Sequence, residues 1–76
     1  MKIKAELTFP PELKDEPIIC NLCKQFNITV SILEASFSTD LGWAILIIEK
    51  DEEEIKKAFE YLTQKGVKIE NIKQII

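Results

Sequence analysis

The 76-residue chain contains no histidine, and all ten of its basic residues are lysines. Without histidine, the chain lacks the side chain that ordinarily titrates near neutral pH and the commonest metal ligand. Without arginine, it lacks the bidentate fork that suits phosphate and carboxylate groups. Both absences disfavour hydrolytic chemistry and enzymes that cradle a phosphate group. We therefore expect a protein that is not an enzyme and that needs no metal and no cofactor.

Long apolar runs and an excess of positive charge are also missing. The longest apolar stretch, residues 43–48, is far shorter than the ~18 residues that a membrane span needs. The net charge is −3, whereas a nucleic-acid-binding protein normally carries a basic patch. The first residues contain no apolar signal-peptide core. We expect a cytoplasmic protein without membrane insertion and without a nucleic-acid partner.

The two cysteines, Cys20 and Cys23, form a single Cys-x-x-Cys pair. A structural zinc site needs four ligands, and the chain offers no further cysteine or histidine. Redox pairs of this kind sit at the start of a helix, whereas this pair falls inside a predicted one. We expect reduced thiols, with Cys23 packed in the core and Cys20 beside it. A redox role or a metal shared between subunits is the less favoured alternative.

Alternating polar and apolar residues predict four strands. The second strand alternates least regularly, and its adjacent Ile32 and Leu33 predict a β-bulge. The third strand is apolar on both faces, which is typical of a central strand covered on both sides. The alternation of the last strand slips around Asn71. The predicted strands span residues 2–9, 28–38 and 43–49, and the last begins at residue 67.

Apolar residues at helical spacing predict two helices, over residues 15–26 and 51–65. Asp15 can cap the first helix, with Pro17 in its first turn. Asp51 and Glu54 form a variant of the capping box at the start of the second. The predicted core-facing residues are Ile19, Leu22, Cys23 and Phe26 on the first helix, and Ile55, Ala58, Phe59 and Leu62 on the second. Gly66 ends the second helix.

The order of elements is strand, helix, strand, strand, helix, strand. With right-handed crossovers, this order predicts an α+β ferredoxin-like βαββαβ sandwich, a four-stranded antiparallel sheet with two helices on one face. The first and third strands would lie in the centre. Residues 39–42 form the turn between the middle strands, where Gly42 can take a positive φ. We expect a single domain over residues 1–76.

The sheet face that the helices leave open should carry an apolar stripe, because the third strand is apolar on both faces. Small monomeric proteins rarely leave such a stripe in water. We therefore predict a homodimer, or a partner chain, that docks on this face. The alternative is a monomer with a few exposed apolar side chains, which is common.

An ordered series of short segments over nearly the whole chain resembles the NIL domain. This small ACT-like ferredoxin fold occurs at the C-terminus of methionine-importer ATPase subunits and as a free-standing or ferredoxin-fused module. The matching segments are Leu7-Thr8-Phe9, Glu16-Pro17-Ile18-Ile19, Phe26-Asn27-Ile28, Ile32-Leu33, Gly42, Asp51-Glu52-Glu53-Glu54-Ile55, Ala58, Tyr61-Leu62 and Gly66-Val67-Lys68-Ile69-Glu70.

The resemblance implies a dimeric regulatory domain that binds L-methionine between subunits. Its ligand region falls on the second strand and its neighbours, which here are Ser31, Ile32, Leu33, Phe37, Leu41 and Trp43. The family is named for Asn-Ile-Leu, and this chain has serine at the first position. Serine is shorter and lacks the separate donor and acceptor of an amide. Trp43 is either a wall of the ligand pocket or part of the dimer interface.

Two functional hypotheses follow from the resemblance. The first is a regulatory module that binds methionine or a related amino acid, as the rest of the signature favours. The second is a ligand-free protein–protein interaction module, which Ser31 favours. Either module would act in trans, on a transporter or on an enzyme of sulfur amino-acid metabolism.

Overall fold

The computed structural model describes residues 1–13, 16–38 and 41–75. The elements of these residues are β1 (Lys2–Phe9), a short 3-10 helix (Pro11–Leu13), α1 (Ile18–Gln25), β2 (Thr29–Phe37), β3 (Gly42–Glu49), α2 (Glu52–Gln64) and β4 (Lys68–Gln74). The strand order is β2-β3-β1-β4, and every neighbouring pair is antiparallel. The predicted ferredoxin-like α+β class, with β1 and β3 in the centre, is confirmed.

The core lies between the helices and one face of the sheet. Alternate residues of β1 and β3 are buried there because the side chains of a strand alternate between its two faces. Each helix adds the residues of its inner stripe. The buried residues are Ile3, Ala5, Leu7 and Phe9 of β1, Ala44, Leu46 and Ile48 of β3, Ile18 and Leu22 of α1, and Ile55, Ala58 and Leu62 of α2, together with Val67. This face is called the helix side below.

The other sheet face, called the open face below, carries the second set of side chains. On β3 these are Trp43, Ile45 and Ile47, all only half-buried. They lie opposite polar residues of β1, whose apolar residues all point to the helix side. The predicted uncovered apolar stripe is therefore present, and β3 is covered on its helix side only.

The two edge strands are irregular where the sequence pattern slips. The register between β2 and β3 shifts between Ile32 and Glu34, which confirms the predicted bulge. The register between β1 and β4 also shifts, and Asn71 of β4 has a φ of 52°. Asparagine tolerates this left-handed conformation better than most residues. Nearly every residue of β2 is exposed, so this edge is open to a ligand or a partner.

Helix α2 is bounded as the sequence predicts. The Asp51 side chain accepts a hydrogen bond from the Glu54 backbone N–H, with Oδ1 and N 2.9 Å apart. This bond satisfies one of the free donors of the first turn. Gly66 follows the helix with a φ of +93°, a conformation that costs glycine little.

The cap gives a first prediction. Asp51→Ala should lower the free energy of unfolding by about 1 kcal/mol, because the Glu54 N–H loses its acceptor. Urea denaturation measures the change. Lys56→Ala, on an exposed position of the same helix, is the control and should change stability little. Equal losses in the two variants would show that the cap contributes nothing specific.

Helix α1 differs from the prediction. It begins at Ile18, so Pro17 occupies the N-cap position rather than the first turn, and no side chain caps it. The predicted cap, Asp15, lies outside the described residues, as do Thr39 and Asp40 of the predicted turn. The buried residues are Ile18 and Leu22, four residues apart. Cys23 lies one residue past this stripe and is exposed.

Both cysteines are therefore free and exposed. The prediction that Cys23 packs in the core is wrong, because the stripe of α1 runs through Ile18 rather than Ile19. Among the described residues, no group of three or more Cys, Asp or Glu side chains could hold a metal ion.

Candidate functional site

The predicted ligand residues all belong to the β2–β3 hairpin. Ser31 is exposed and Trp43 is half-buried. The other four are large apolar side chains that are each more than half exposed: Ile32 (55%), Leu33 (52%), Phe37 (59%) and Leu41 (52%). Exposed apolar side chains grouped on one hairpin are typical of a surface that binds something.

The hairpin divides these residues between its two faces. Ser31 and Trp43 lie on the open face. Ile32 and Phe37 belong by register to the helix side, opposite residues of β3 that are buried. They lie on the edge strand, where the side chains remain exposed. Leu33 is the extra residue of the bulge.

The predicted residues are also spread along the strand. Ser31 pairs with Ile47, and Phe37 pairs with Gly42, so the two ends lie about 17 Å apart at the usual strand rise. This separation is longer than an extended methionine molecule. A ligand of that size cannot contact Ser31 and Phe37 of the same chain at once.

A cavity of about 250 Å³ lies at the Phe37 end of the hairpin. Phe9 and Phe37 flank Gly42 on the sheet, and their ring centroids are 5.6 Å apart. Leu41 forms part of the same wall. The loop after β1 and the first turn of α1 complete the lining, with Pro10, Pro11, Leu13, Glu16, Pro17, Ile18, Ile19 and Cys20. The cavity is lined mainly by apolar side chains, as small-ligand sites usually are.

Gly42 is needed here for space rather than for a turn. It belongs to β3, and its φ is not positive, so the predicted left-handed turn at this residue is wrong. A Cβ at position 42 would overlap the ring of Phe37. The missing side chain lets the Phe37 ring lie against the sheet and close one wall of the cavity.

Two polar side chains of this cavity, Glu16 and Ser38, already have partners. The carboxylate of Glu16 lies 2.8 Å from Nζ of Lys65. The hydrogen bond and the negative charge of Glu16 raise the pKa of Lys65 above its ordinary value. The ion pair between Lys65 and Glu16 therefore stabilises the fold fully at pH values below the ordinary lysine pKa. This stabilisation is lost as the pH rises through the raised pKa of Lys65. The Ser38 hydroxyl donates to the carbonyl oxygen of Leu41 at 3.0 Å.

A second hollow, of about 340 Å³, lies on the open face around Trp43. It is lined by Glu6, Leu7, Thr8, Leu41, Trp43, Ala44, Ile45 and Glu70. Leu41 borders both hollows, whereas Ser31, Ile32 and Leu33 border neither. The structure thus brings Phe37, Leu41 and Trp43 to one end of the hairpin and leaves the Ser31 segment at the other.

The sequence did not assign Leu13 or Glu16 to a site, and Cys20 was considered only as half of a less favoured redox or metal-binding pair. The available signal was the Phe9-Pro10-Pro11 exit from β1, since loops at such exits often rim ligand sites. Glu16 and Cys20 carry no such signal, because their place beside the hairpin depends on the path of the loop and of α1.

This arrangement defines a class of protein: a small ferredoxin-like α+β domain with an exposed apolar hairpin and one open sheet face. The NIL domain family model matches residues 4–71. The chain belongs to the NIL domain family, which confirms the resemblance seen in the sequence.

The curated relatives are much longer than this chain. The methionine import ATP-binding protein MetN of Helicobacter pylori (strain ATCC 700392 / 26695) is 35% identical over 71 residues, which cover 88% of this chain and 22% of the relative. MetN of Bacillus subtilis (strain 168) is 31% identical over 74 residues, covering 92% of this chain and 22% of the relative. The chain therefore spans about a fifth of the length of these proteins.

A solved structure shares the fold. It is the C-terminal domain of an ABC transporter / ATP-binding protein from Enterococcus faecalis. The TM-score is 0.75 at 24% sequence identity, over 88% of this chain and 79% of that one. At this identity the likeness supports the fold alone. In the part of the chain that the structure describes, no helix is long and apolar enough to cross a membrane.

Proposed function

We propose that the chain is a regulatory module that binds L-methionine, or a related amino acid, at an interface between two copies. The observation that carries this proposal is the group of four large apolar side chains exposed on the β2–β3 hairpin of a NIL domain. An apolar hairpin this exposed needs a cover, and a ligand shared with a second copy supplies one.

The chemistry of the hairpin suits an aliphatic or thioether side chain. Phe37 and Trp43 lie on opposite faces of the hairpin, and each offers an aromatic ring beside Leu41, against which a methionine sulfur packs favourably. With no arginine in the chain, the charged ends of the ligand must be met by backbone groups and by Ser31. The length of the hairpin favours a shared site, in which the two ends come from different copies.

The controlled partner, in this proposal, is a methionine importer. The curated relatives are named as methionine import ATP-binding proteins, and a domain of this family would report the amino-acid concentration to such an ATPase. The module itself binds and performs no catalysis.

Thermal unfolding tests the ligand. L-Methionine should raise the unfolding midpoint, because a ligand that binds only the folded state stabilises it by RT ln(1 + [L]/Kd), or about 2.7 kcal/mol at a hundredfold excess over Kd. Norleucine tests the need for sulfur, and leucine tests the need for an unbranched side chain. A midpoint unchanged by all three up to their solubility would reject amino-acid binding.

The second candidate function is a ligand-free interaction module, and Ser31 is the observation that favours it. A hydroxyl in place of the signature amide removes one hydrogen-bonding atom from the proposed contact. In that case the hairpin or the open face docks on a transporter or on an enzyme of sulfur amino-acid metabolism. An unchanged midpoint in the thermal experiment would support this candidate.

A further inference from the structure

The structure places the Cys-x-x-Cys pair at the start of a helix rather than inside one. Helix α1 begins at Ile18, with Pro17 at the N-cap position. Cys20 is therefore the third residue of the helix, and Cys23 follows almost one turn later. Redox pairs of this spacing sit at the start of a helix. The position of the pair, which disfavoured a redox role in the sequence, favours one in the structure.

The two cysteines lie close enough to be bridged. Residues three apart on an α-helix have Cα atoms about 5 Å apart, and disulfide-bonded cysteines have Cα atoms about 4.4–6.8 Å apart. The Cβ atoms of such a helical pair are about 5–6 Å apart, whereas a disulfide needs about 3.5–4.5 Å. A disulfide between Cys20 and Cys23 therefore requires a small adjustment of the first turn of α1. Strained, exposed disulfides of this kind are readily reduced again.

The surroundings of the two cysteines differ. Cys20 is exposed and also lines the cavity of about 250 Å³ beside Phe37, so it lies at the rim of that cavity. Cys23 is exposed on the surface of α1 and does not line the cavity. An apolar cavity of about 150 Å³ is already enough to bind benzene. A reagent with an aromatic group can therefore be held beside Cys20 but not beside Cys23.

We propose that Cys20 and Cys23 form a thiol–disulfide exchange site at the rim of this cavity. Its substrate is a small disulfide that carries an apolar or aromatic group next to its sulfur atoms. The apolar group occupies the cavity, between the walls that Phe9 and Phe37 supply. Cys20 is the attacking residue, and Cys23 is the residue that resolves the mixed disulfide.

The exchange has two steps. In the first, Cys20 gives its proton to solvent, its sulfur bonds to one sulfur of the substrate, and the substrate disulfide breaks to release one thiolate, which takes up a proton. In the second, the deprotonated sulfur of Cys23 bonds to the sulfur of Cys20 and releases the other half of the substrate in the same way. The substrate is thus reduced to two thiols, and the pair loses two electrons and becomes a disulfide. An excess of thiol reverses both steps.

This site goes beyond the proposed regulatory function, because it requires neither methionine nor a second copy of the chain. The test below contains neither of them. Its result and the result of the methionine experiment are therefore independent of each other.

The products of one exchange test the pair. One equivalent of the aromatic disulfide dithiodipyridine should release two pyridinethiones per reagent molecule from the natural chain, measured by absorbance. Mass spectrometry should then show a chain that has lost two hydrogens and carries no adduct. Cys23→Ser should release only one pyridinethione and should keep the other half of the reagent on Cys20.

The matched control moves the second thiol around the helix. The double variant Cys23→Ser with Gln25→Cys keeps two exposed thiols on α1, but residues five apart point to different sides of a helix. This variant should release one pyridinethione per reagent molecule and should retain the adduct. Far-ultraviolet circular dichroism confirms that each variant is folded.

Reaction rates test the cavity. Cys23→Ser leaves only Cys20, and Cys20→Ser leaves only Cys23. Each variant reacts with dithiodipyridine and with hydroxyethyl disulfide, which has no aromatic group. The ratio of the two rates cancels the inherent reactivity of each thiol. This ratio should be at least about tenfold larger for Cys20, because binding in the cavity holds the aromatic disulfide beside the attacking sulfur.

The other possible results contradict the proposal. A natural chain that keeps an adduct has a pair that does not close. A control variant that closes as readily as the natural chain would show that any two thiols on α1 suffice. Equal rate ratios for Cys20 and Cys23 would reject the cavity as the place where the substrate binds.

Discussion

Ile48→Glu should leave the chain unfolded at room temperature, whereas Ile47→Glu should leave it folded and monomeric. The two residues are neighbours on β3 and receive the same substitution. Ile48 is fully buried on the helix side, and Ile47 lies half-buried on the open face. Two adjacent residues of β3 therefore have different roles. Ile48 stabilises the fold, and Ile47 stabilises the proposed dimer.

The reason for the difference is the solvation of the new carboxylate. At position 48 the charge has no partner among the apolar residues around it, and such burial costs several kcal/mol. A domain of this size keeps only about 3–5 kcal/mol of net stability. At position 47 the carboxylate stays in water in the monomer, and it would lose that water only where a second copy covers the open face.

Far-ultraviolet circular dichroism measures folding, and sedimentation measures the oligomeric state at the same concentrations. A folded Ile48→Glu chain with an unchanged melting midpoint would contradict the assigned core. An Ile47→Glu chain that remains dimeric would contradict the open-face interface. If Ile47→Glu unfolds as well, the melting midpoint of the natural chain should rise with protein concentration, because folding and dimer formation would then be coupled.

The sequence predicts the fold well wherever a single local pattern determines the structure. The alternation from Ile3 to Phe9 leaves a single choice of buried face, and the structure buries that face. Asp51 and Gly66 bound α2 by hydrogen bonding and by backbone conformation, both of which are local. The bulge in β2 follows from two adjacent apolar residues, Ile32 and Leu33, in an otherwise alternating strand.

Helix α1 shows why the rest could not be predicted. Its eight residues make little more than two turns, and both Ile18 and Ile19 are apolar. Periodicity over so short a stretch does not decide which of the two faces the core. The face that points to the core depends on where the loop after β1 places the start of α1, and tertiary packing determines this position. The exposure of Cys23 follows from the same choice.

The candidate site was predictable in part for a related reason. The resemblance assigned the site to the β2–β3 hairpin, and the predicted residues do share an exposed hairpin. The predicted residues lie at two different ends of the hairpin because of the strand register. The signature residues alone do not determine that register. The cavity beside Phe37 depends on the absence of a side chain at Gly42 and on the loop after β1, and neither belongs to the signature.

Ser31→Asn should raise the affinity for L-methionine about tenfold or more. Asparagine restores the first residue of the family signature and supplies a donor and an acceptor at once. One added hydrogen bond to a charged group contributes about 1.5–3 kcal/mol, and each 1.4 kcal/mol is tenfold in Kd. Isothermal titration calorimetry measures the change, with norleucine as the sulfur-free ligand. Position 31 lies on the open face, which is the predicted dimer interface, so a substitution there also tests dimer formation. Sedimentation should therefore accompany each titration to record the oligomeric state.

Ser36→Asn is the matched control, because Ser36 is exposed on the open face of the same strand, opposite Trp43 rather than Ile47. Tighter binding by Ser31→Asn alone would assign the polar contact to position 31 and would support an amino-acid sensor weakened by its serine. Equal gains in both variants would assign the effect to the strand as a whole. No binding by either variant would leave the interaction module as the function of this chain, since the missing amide would then not be what prevents a ligand from binding.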